Sequence, residues 1–177
     1  NLGIESGLIT SFGADDVNIG GIAGNNYGTI ESSYSKATIA GSGTNNGGIV
    51  GRNHIGATIR YSYFSGDITT RHSGGLVGLN GGTIDNSYAT ATITGYNNMG
   101  GLVNINSGGT ITNSYSASRL YQFNSTTPQT DSTQYVGAFI GNRTGGIYSN
   151  NFYDKTLAGT LLAYPTGNMS PTTDDAN

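Results

Sequence analysis

Residues 74–90, which read GGLVGLNGGTIDNSYAT, contain three short landmarks that recur along the chain. The first is a glycine pair followed by two aliphatic residues, the second is a Gly/Ala-Thr-Ile segment, and the third is a Ser-Tyr step. Copies of the first landmark begin 27, 27, 26 and 37 residues apart, at Gly20, Gly47, Gly74, Gly100 and Gly137. Because three landmarks recur in the same order, the chain is built from internal repeats of about 27 residues each.

This period and the spacing of the hydrophobic residues predict the fold class. Within each copy the apolar residues come in short pieces separated by Gly, Asn and Ser, without the three-and-four spacing of an amphipathic helix. Short β-branched and aromatic segments bounded by turn residues indicate strands. A propeller blade needs about 40–45 residues, so the shorter unit favours a coil that hydrogen-bonds to the next coil. The predicted fold is all-β, a parallel β-helix (β-solenoid) with about one coil per 27-residue repeat.

Stacked coils place equivalent residues above one another, which predicts columns of like side chains. One inward apolar column is expected from Ile30, Ile59, Ile84, Ile111 and Ile147, and another from Ile22, Ile49, Leu76, Leu102 and Phe139. An amide ladder is expected from Asn26, Asn53, Asn80 and Asn106, at a corner where asparagine tolerates left-handed backbone. The glycine pairs are expected to adopt positive φ and to let coils approach closely.

The tyrosines of the third landmark admit two interpretations. The column expected there contains Tyr34, Tyr63, Tyr88, Tyr115 and Tyr153. Because these residues follow the repeat strictly, stacked rings in or beside the core are favoured. The alternative is an aromatic stripe that binds glycans at the surface.

The repeats divide the chain into a solenoid and a short end. Residues 1–153 are expected to form the solenoid, with 1–17 as a truncated first coil in which Gly3-Ile4-Glu5-Ser6 is the second landmark. Residues 154–177 are expected to be a C-terminal cap or tail, with Leu161-Leu162-Ala163-Tyr164-Pro165 folding over the last coil.

The step from Gly100 to Gly137 is about ten residues longer than the period, which predicts an inserted loop at 120–134. Insertions in solenoids bulge outward, often on the binding face, and this one mixes aromatic rings with hydroxyl and amide groups. The candidate binding residues are Tyr121, Phe123 and Asn124. The possible glycosylation sites are Asn124 and Asn142, each in an Asn-x-Thr/Ser sequon.

The landmarks at 74–78 and 81–90 resemble the GLUG repeat, which occurs in large bacterial surface and secreted proteins, including filamentous-haemagglutinin-like adhesins. The aromatic segment at 150–154 is similar to the one that ends such arrays, and 167–170 is similar to the tail that follows. The resemblance runs from about Gly3 to Tyr153 and departs from the pattern at Asn104, where glycine is expected, and near 120–134. It implies a right-handed β-helix in a bacterial protein that is secreted or attached to the cell surface.

The composition excludes several classes of function. A net charge of -3 leaves no electrostatic footprint for nucleic acid, and no apolar run approaches the roughly 18 residues of a membrane-inserting helix. The two histidines, His54 and His72, fall in different coils, and the His-Glu-x-x-His zinc motif is absent. We therefore expect no catalytic residue, no metal site and no cofactor.

One column of charges leaves a polysaccharide-degrading enzyme open as the less favoured alternative. Glu5, Glu31, Arg60, Asp85 and Thr112 are expected at one coil position. A glycosidase uses two carboxylates roughly 5–10 Å apart, and Glu31 and Asp85, two coils apart, would lie near that range. Arg60 between them favours ion pairing instead, worth at most about 1 kcal/mol per exposed pair.

The sequence therefore predicts a non-catalytic adhesin or fibre segment, located outside the cell or at the cell surface. The expected partner is a glycan or protein of a host or other surface. The alternative is an architectural subunit that self-associates end to end into an extracellular filament.

Overall fold

The computed structural model describes residues 1–11, 17–96, 98–123 and 135–158, together with Leu161 and Ala163. These residues form 26 short strands, numbered in chain order, and one helix of four residues, α1 (Lys155–Ala158). The strands belong to five sheets that run along the solenoid. Each sheet is named below after a recurring residue.

The tyrosine sheet contains, in spatial order, β1 (Gly3–Ile4), β6 (Tyr34–Ser35), β11 (Tyr63–Phe64), β16 (Tyr88–Ala89), β21 (Tyr115–Ser116) and β26 (Phe152–Tyr153). The threonine sheet contains β2 (Leu8–Ser11), β7 (Thr38–Gly41), β12 (Asp67–Thr70), β17 (Thr92–Gly95) and β22 (Arg119–Gln122). The glycine sheet contains β3 (Asn18–Gly20), β8 (Asn45–Gly47), β13 (His72–Gly74), β18 (Asn98–Gly100) and β23 (Val136–Gly137).

The asparagine sheet contains β4 (Ala23–Asn26), β9 (Val50–Asn53), β14 (Val77–Asn80), β19 (Val103–Asn106) and β24 (Ile140–Arg143). The isoleucine sheet contains β5 (Thr29–Glu31), β10 (Thr58–Arg60), β15 (Thr83–Asp85), β20 (Thr110–Thr112) and β25 (Ile147–Ser149). Each strand pairs in parallel with the strand five places later, so every coil contributes one strand to each sheet. The predicted parallel β-solenoid with one coil per repeat is confirmed.

The interior is filled by the apolar columns of successive coils. Ile59, Ile84 and Ile111 are fully buried and paired in register. The second column is buried at Ile49, Leu76, Leu102 and Phe139 and partly buried at Ile22. A buried aliphatic side chain stabilises the fold by about 1.5–3 kcal/mol, so these columns supply much of the driving force for stacking.

Ile147 does not continue the isoleucine column. It pairs with Thr110 and is 64% exposed, whereas Tyr148 pairs with Ile111 and is buried. The last copy reads Gly146-Ile147-Tyr148 where the preceding one reads Gly109-Thr110-Ile111. Because the last copy has no threonine, its isoleucine falls on the outward position and the tyrosine takes the inward one.

The truncated first coil begins later in the repeat than the sequence suggested. Gly3 pairs with Tyr34 and Ile4 with Ser35, so Gly3-Ile4 occupies the third landmark rather than the second. Glu5 accordingly lies beside Lys36 and not in the column of Glu31. The register is consistent with Ile9, which pairs with the buried Ile39 and packs against the core.

The glycine pairs are required for close approach and not for positive φ. None of the pairs at 20–21, 47–48, 74–75 and 100–101 has positive φ, which corrects that part of the prediction. A Cβ on Gly74 would overlap the carbonyl oxygen of Val77, three residues further along the chain. A Cβ on Gly75 would overlap the carbonyl oxygen of Gly101 in the next coil. Both contacts are with main chain, which cannot move aside without breaking the inter-coil hydrogen bonds.

A second set of residues forms a left-handed corner between the isoleucine and tyrosine sheets. Positive φ values of 47–54° occur there at Ser32, Tyr61, Asn86, Asn113 and Asn150. The asparagines of the amide ladder do not have positive φ, so the prediction of left-handed backbone there is wrong.

The serine after each left-handed residue holds the corner closed. Ser87 Oγ donates to the Asp85 carbonyl at 2.8 Å, across Asn86, and accepts the Ser62 N–H at 3.2 Å. Equivalent bonds form at Ser33, Ser62 and Ser114. The serine of the Ser-Tyr step therefore satisfies main-chain groups within its coil and between coils.

We expect Gly75→Ala to lower the free energy of unfolding by about 3 kcal/mol or more, since the added methyl must displace main chain of the next coil. Gly28→Ala is the matched control, because a Cβ at Gly28 meets nothing within 4 Å and φ there is not positive. It should change stability by less than about 1 kcal/mol. Urea denaturation followed by circular dichroism measures both, and equal effects of the two substitutions would contradict the close-approach argument.

Tyr61→Asn is expected to stabilise the solenoid by about 1 kcal/mol, because a left-handed backbone costs an aromatic residue more than asparagine. Tyr61 is 56% exposed, so little packing is lost with its ring. The reverse exchange at the equivalent position, Asn86→Tyr, should destabilise by a similar amount. The same denaturation experiment tests both, and a loss of stability in Tyr61→Asn would show that its ring matters more than its backbone.

Candidate binding surface

The most regular outer feature is a stack of tyrosines on the tyrosine sheet. Neighbouring ring centroids of Tyr34, Tyr63, Tyr88 and Tyr115 lie 5.1, 4.9 and 4.7 Å apart, and the ring planes differ by only 3–6°. The rings lie beside the core on the outer side, while the next residue of each strand, such as Phe64 or Ala89, is fully buried. Stacked aromatic pairs of this kind stabilise a sheet by about 0.5–1.5 kcal/mol each.

The orientation of this stack bears on the two interpretations of the tyrosines. Tyr63 and Tyr88 each present both faces to neighbouring rings, the backbone of Gly3 lies against Tyr34, and Tyr115 stacks on Tyr88 through one face. A sugar packs on an exposed ring face, and the two inner rings offer none. The arrangement favours a structural role over the glycan-binding stripe.

The last aromatic residue in this register is Phe152 rather than Tyr153. Phe152 pairs with Tyr115 and is 52% exposed, whereas Tyr153 pairs with Ser116 and packs against the core. Asn151 takes the place of the serine, and its Oδ1 accepts the Ser114 N–H at 3.1 Å.

The first ring of the stack is held by an exposed polar cluster. Lys36 Nζ lies 2.8 Å from Glu5 Oε2, and the Tyr34 hydroxyl donates to the same carboxylate. The hydrogen bonds from Lys36 and then from Tyr34 lower the pKa of Glu5, and the carboxylate in turn raises the pKa of both donors. These groups are at the surface, so the cluster orients side chains more than it stabilises the fold.

The column of charges is satisfied by an ion pair and by hydrogen bonds. Arg60 Nη2 lies 3.1 Å from Glu31 Oε2. Asp85 accepts hydrogen bonds from Asn86, Thr112 and Asn113 at 2.7–2.9 Å. Burial raises the pKa of Asp85, but the hydrogen bonds together outweigh it and the net pKa is lowered. A general acid requires a raised pKa, so Asp85 is unsuited to that role.

The asparagine ladder lies inside the solenoid, at the end of the asparagine sheet. Its members are buried, and the amide groups donate from coil to coil: Asn26 Nδ2 to Asn53 Oδ1 at 2.9 Å, Asn53 to Asn80 at 2.8 Å, and Asn80 to Asn106 at 2.7 Å. In the next coil the position belongs to Arg143, and Asn106 donates instead to the Tyr148 hydroxyl. The Arg143 guanidinium lies 4.2 Å from the Tyr148 ring centroid, so the ladder ends on a cation–π pair.

The proposed binding residues of the insertion are only partly in a loop. Leu120 is buried in β22 opposite Ile93, and Tyr121 pairs with Thr94, so residues 120–122 belong to the coil. Phe123 directly follows that strand, and its ring stacks on Tyr96 at 4.7 Å and 6°. Asn124 and the rest of the predicted loop lie outside the described residues.

The described residues line two grooves on the outer surface. One has a volume of about 440 Å³ and is lined by Gly41, Ser42, Thr69, Thr70, Arg71, Tyr96 and Phe123. We call it the Tyr96 groove. The other has a volume of about 290 Å³ and is lined by Tyr27, Arg52, Asn53, His54, Ile55, Leu79, Gly81 and Ser107. We call it the Tyr27 groove.

The two histidines differ in their surroundings. His54 stacks on Tyr27 at 3.9 Å in the Tyr27 groove, and its Nε2 lies 3.1 Å from Asn25 Oδ1. His72 lies in β13 and is half-buried. Burial lowers the pKa of each, helped by the adjacent Arg52 and Arg71. Within the ranges that the structure describes, no cluster of three or more His, Asp or Glu side chains could hold a metal ion.

The sequon at Asn142 lies in β24, where Asn142 is partly exposed and the following Arg143 is buried.

The C-terminal end of the solenoid is partly covered by the chain that follows. Leu161 is buried, and the Ala163 carbonyl accepts the N–H groups of Phe139 and Ile140 at 3.0 and 2.9 Å.

The Tyr96 groove was not predicted from the sequence, because its residues lie outside the three landmarks. Tyr96 and Phe123 lie 27 residues apart, which is the period of the repeat, and that spacing predicts that they stack. The space in the groove follows from Gly41 and Ser42 in an earlier coil, and column-by-column comparison of residue size would have indicated it.

Comparison with known families agrees with the repeat. The family model of the GLUG motif matches residues 42–69 and 70–94, so the chain contains a GLUG-repeat region. No sequence among curated proteins matches the chain. In the part of the chain that the structure describes, no helix has the length and apolar character needed to cross a membrane.

We expect Asn80→Asp to destabilise the solenoid by about 3–5 kcal/mol at neutral pH, because it buries an unpaired carboxylate that faces the Asn106 oxygen. Its folded pKa would lie above the unfolded value, so stability should recover as the pH falls through the folded pKa. Asn80→Ala is the control, with a loss that does not depend on this titration. Thermal melts of both variants from pH 7 to pH 4 measure the difference, and a parallel pH dependence would argue against a buried ladder.

Proposed function

We propose that this chain is a non-catalytic segment of a bacterial adhesin or surface fibre that acts outside the cell. The observation that carries the proposal is the division between interior and surface. The inward columns repeat in every coil, whereas the residues that line the two grooves differ from coil to coil. A uniform scaffold that displays varied side chains is suited to binding, because rigid elements fix a site that outer residues define.

The charges support a binding role over a hydrolytic one. Glu31 is paired with Arg60, and the lowered pKa of Asp85 keeps it ionised. A glycosidase needs one carboxyl that stays protonated near neutral pH and a second that is ionised. The column supplies no such pair among its described members.

An end-to-end filament is the second candidate. Strands β1 to β5 each lie at the edge of a sheet and pair on one side only. Such an edge can accept a further coil, either from the same protein or from another copy. Sedimentation velocity of the 177-residue chain across a range of concentrations would show growing species if copies stack.

The adhesive proposal predicts that beads coated with the folded chain bind to host-type cell surfaces or to a glycan array, and that beads coated with Gly75→Ala do not. Gly28→Ala should bind like the unmodified chain, since its coil is intact. Incubation of the chain with polysaccharides should release no reducing ends. Release of reducing ends would replace the proposal with an enzyme, and absence of binding by the folded chain to every surface would overturn it.

A further inference from the structure

The Tyr96 groove is formed by one position in successive coils. The residues there are Ser42, Arg71, Tyr96 and Phe123, which directly follow β7, β12, β17 and β22. The small side chains of Gly41 and Ser42 leave space that the rings of the two later coils do not fill. The Tyr96 groove therefore has aromatic rings on one side and the outer face of the threonine sheet at its base.

Among the described residues, the Tyr96 ring has a stacking partner on one face and none on the other. Phe123 covers one side of the Tyr96 ring, at 4.7 Å. The coil on the other side contributes Arg71, and the cations that lie over rings in the described residues are Lys36 and Arg143, not Arg71. Tyr96 is 48% exposed and lines the groove. In the tyrosine stack, by contrast, neighbouring rings cover both faces of the inner rings Tyr63 and Tyr88.

Arg71 brings a positive charge to the groove. The ion pairs of the described residues are made by Lys36 and Arg60, and none of the described residues that line the groove is a carboxylate. A guanidinium binds a carboxylate through two parallel hydrogen bonds, and such bonds are stronger than neutral ones. The hydroxyl of Thr69, which is exposed on β12, can bind a sugar hydroxyl as donor or acceptor.

We propose that the Tyr96 groove binds a carboxylate-bearing sugar residue of a surface glycan. The sugar ring packs on the open face of Tyr96, and its carboxylate pairs with the Arg71 guanidinium. Nucleic acid also stacks on aromatic rings, but it requires several phosphate contacts, and Arg71 is the one cation among the described lining residues. The inference rests on the adhesive function proposed above and names the class of its ligand.

The test is isothermal titration calorimetry of the full chain with an oligogalacturonate and with a neutral galactose oligomer of the same length. We expect binding of the acidic oligomer and at least tenfold weaker binding of the neutral one. Arg71→Gln should weaken binding of the acidic oligomer by about 10- to 100-fold, as expected for the loss of hydrogen bonds to a charged group. Arg71→Lys should lose less, because it keeps the charge.

The aromatic half of the site has its own pair of variants. Tyr96→Ala should abolish binding, whereas Tyr96→Phe, which keeps the ring face, should retain it. Lys155→Gln removes an exposed cation of α1 that lines neither groove, and it serves as the control that leaves binding unchanged. Thermal melts establish that each variant is folded.

Three outcomes would overturn the inference: equal affinity for the acidic and neutral oligomers, no effect of Arg71→Gln, or tighter binding of a single-stranded oligonucleotide. The bead assay separates this failure from failure of the adhesive function. If Arg71→Gln beads attach as well as the unmodified chain, the groove assignment is wrong and adhesion stands. If no beads attach although the acidic oligomer binds in solution, the adhesive function is wrong.

Discussion

The close approach of main chain at the glycine pairs is the constraint on which the rest of the structure depends. At Gly75 the backbone of one coil lies so near the carbonyl of Gly101 that no side chain fits between them. This contact fixes the distance and register between coils, and the hydrogen bonds of all five sheets follow from that register. The apolar columns, the asparagine ladder and the tyrosine stack form because the register places like residues above one another.

The period of the repeat made most of the interior predictable. Once equivalent positions were aligned, the isoleucine and leucine columns followed, and the structure places the four ladder asparagines within hydrogen-bonding distance of one another. The errors arose where a copy departs from the pattern or is incomplete. In the last copy an isoleucine replaces the outward threonine and a tyrosine replaces the inward isoleucine, and the short first coil gave no landmark that distinguished one strand from another. Hydrophobicity alone could not resolve either case, because a one-residue shift leaves the composition unchanged.

The site was less predictable than the scaffold for a physical reason. A column of tyrosines indicates stacking, but whether ring faces or ring edges reach solvent depends on side-chain torsions, which spacing does not determine. Left-handed backbone is equally hard to read, since Tyr61 and Ser32 occupy a corner that asparagine occupies in the later coils. The Tyr96 groove depends on differences between repeats, and a search for similarity passes over those differences. In a repeat protein the shared residues encode the fold, and the exceptions are where binding sites are found.

The direction of the inter-coil hydrogen bonds has a mechanical consequence. They run along the solenoid axis, while the chain itself winds across it. Tension applied to the two ends therefore opens the bonds of one coil at a time instead of shearing all coils together. Each 27-residue coil that peels away replaces about 4.8 Å of rod with about 90 Å of extended chain. A segment built in this way lengthens stepwise under load, which would let an attachment survive a sudden pull without its bond to the surface breaking.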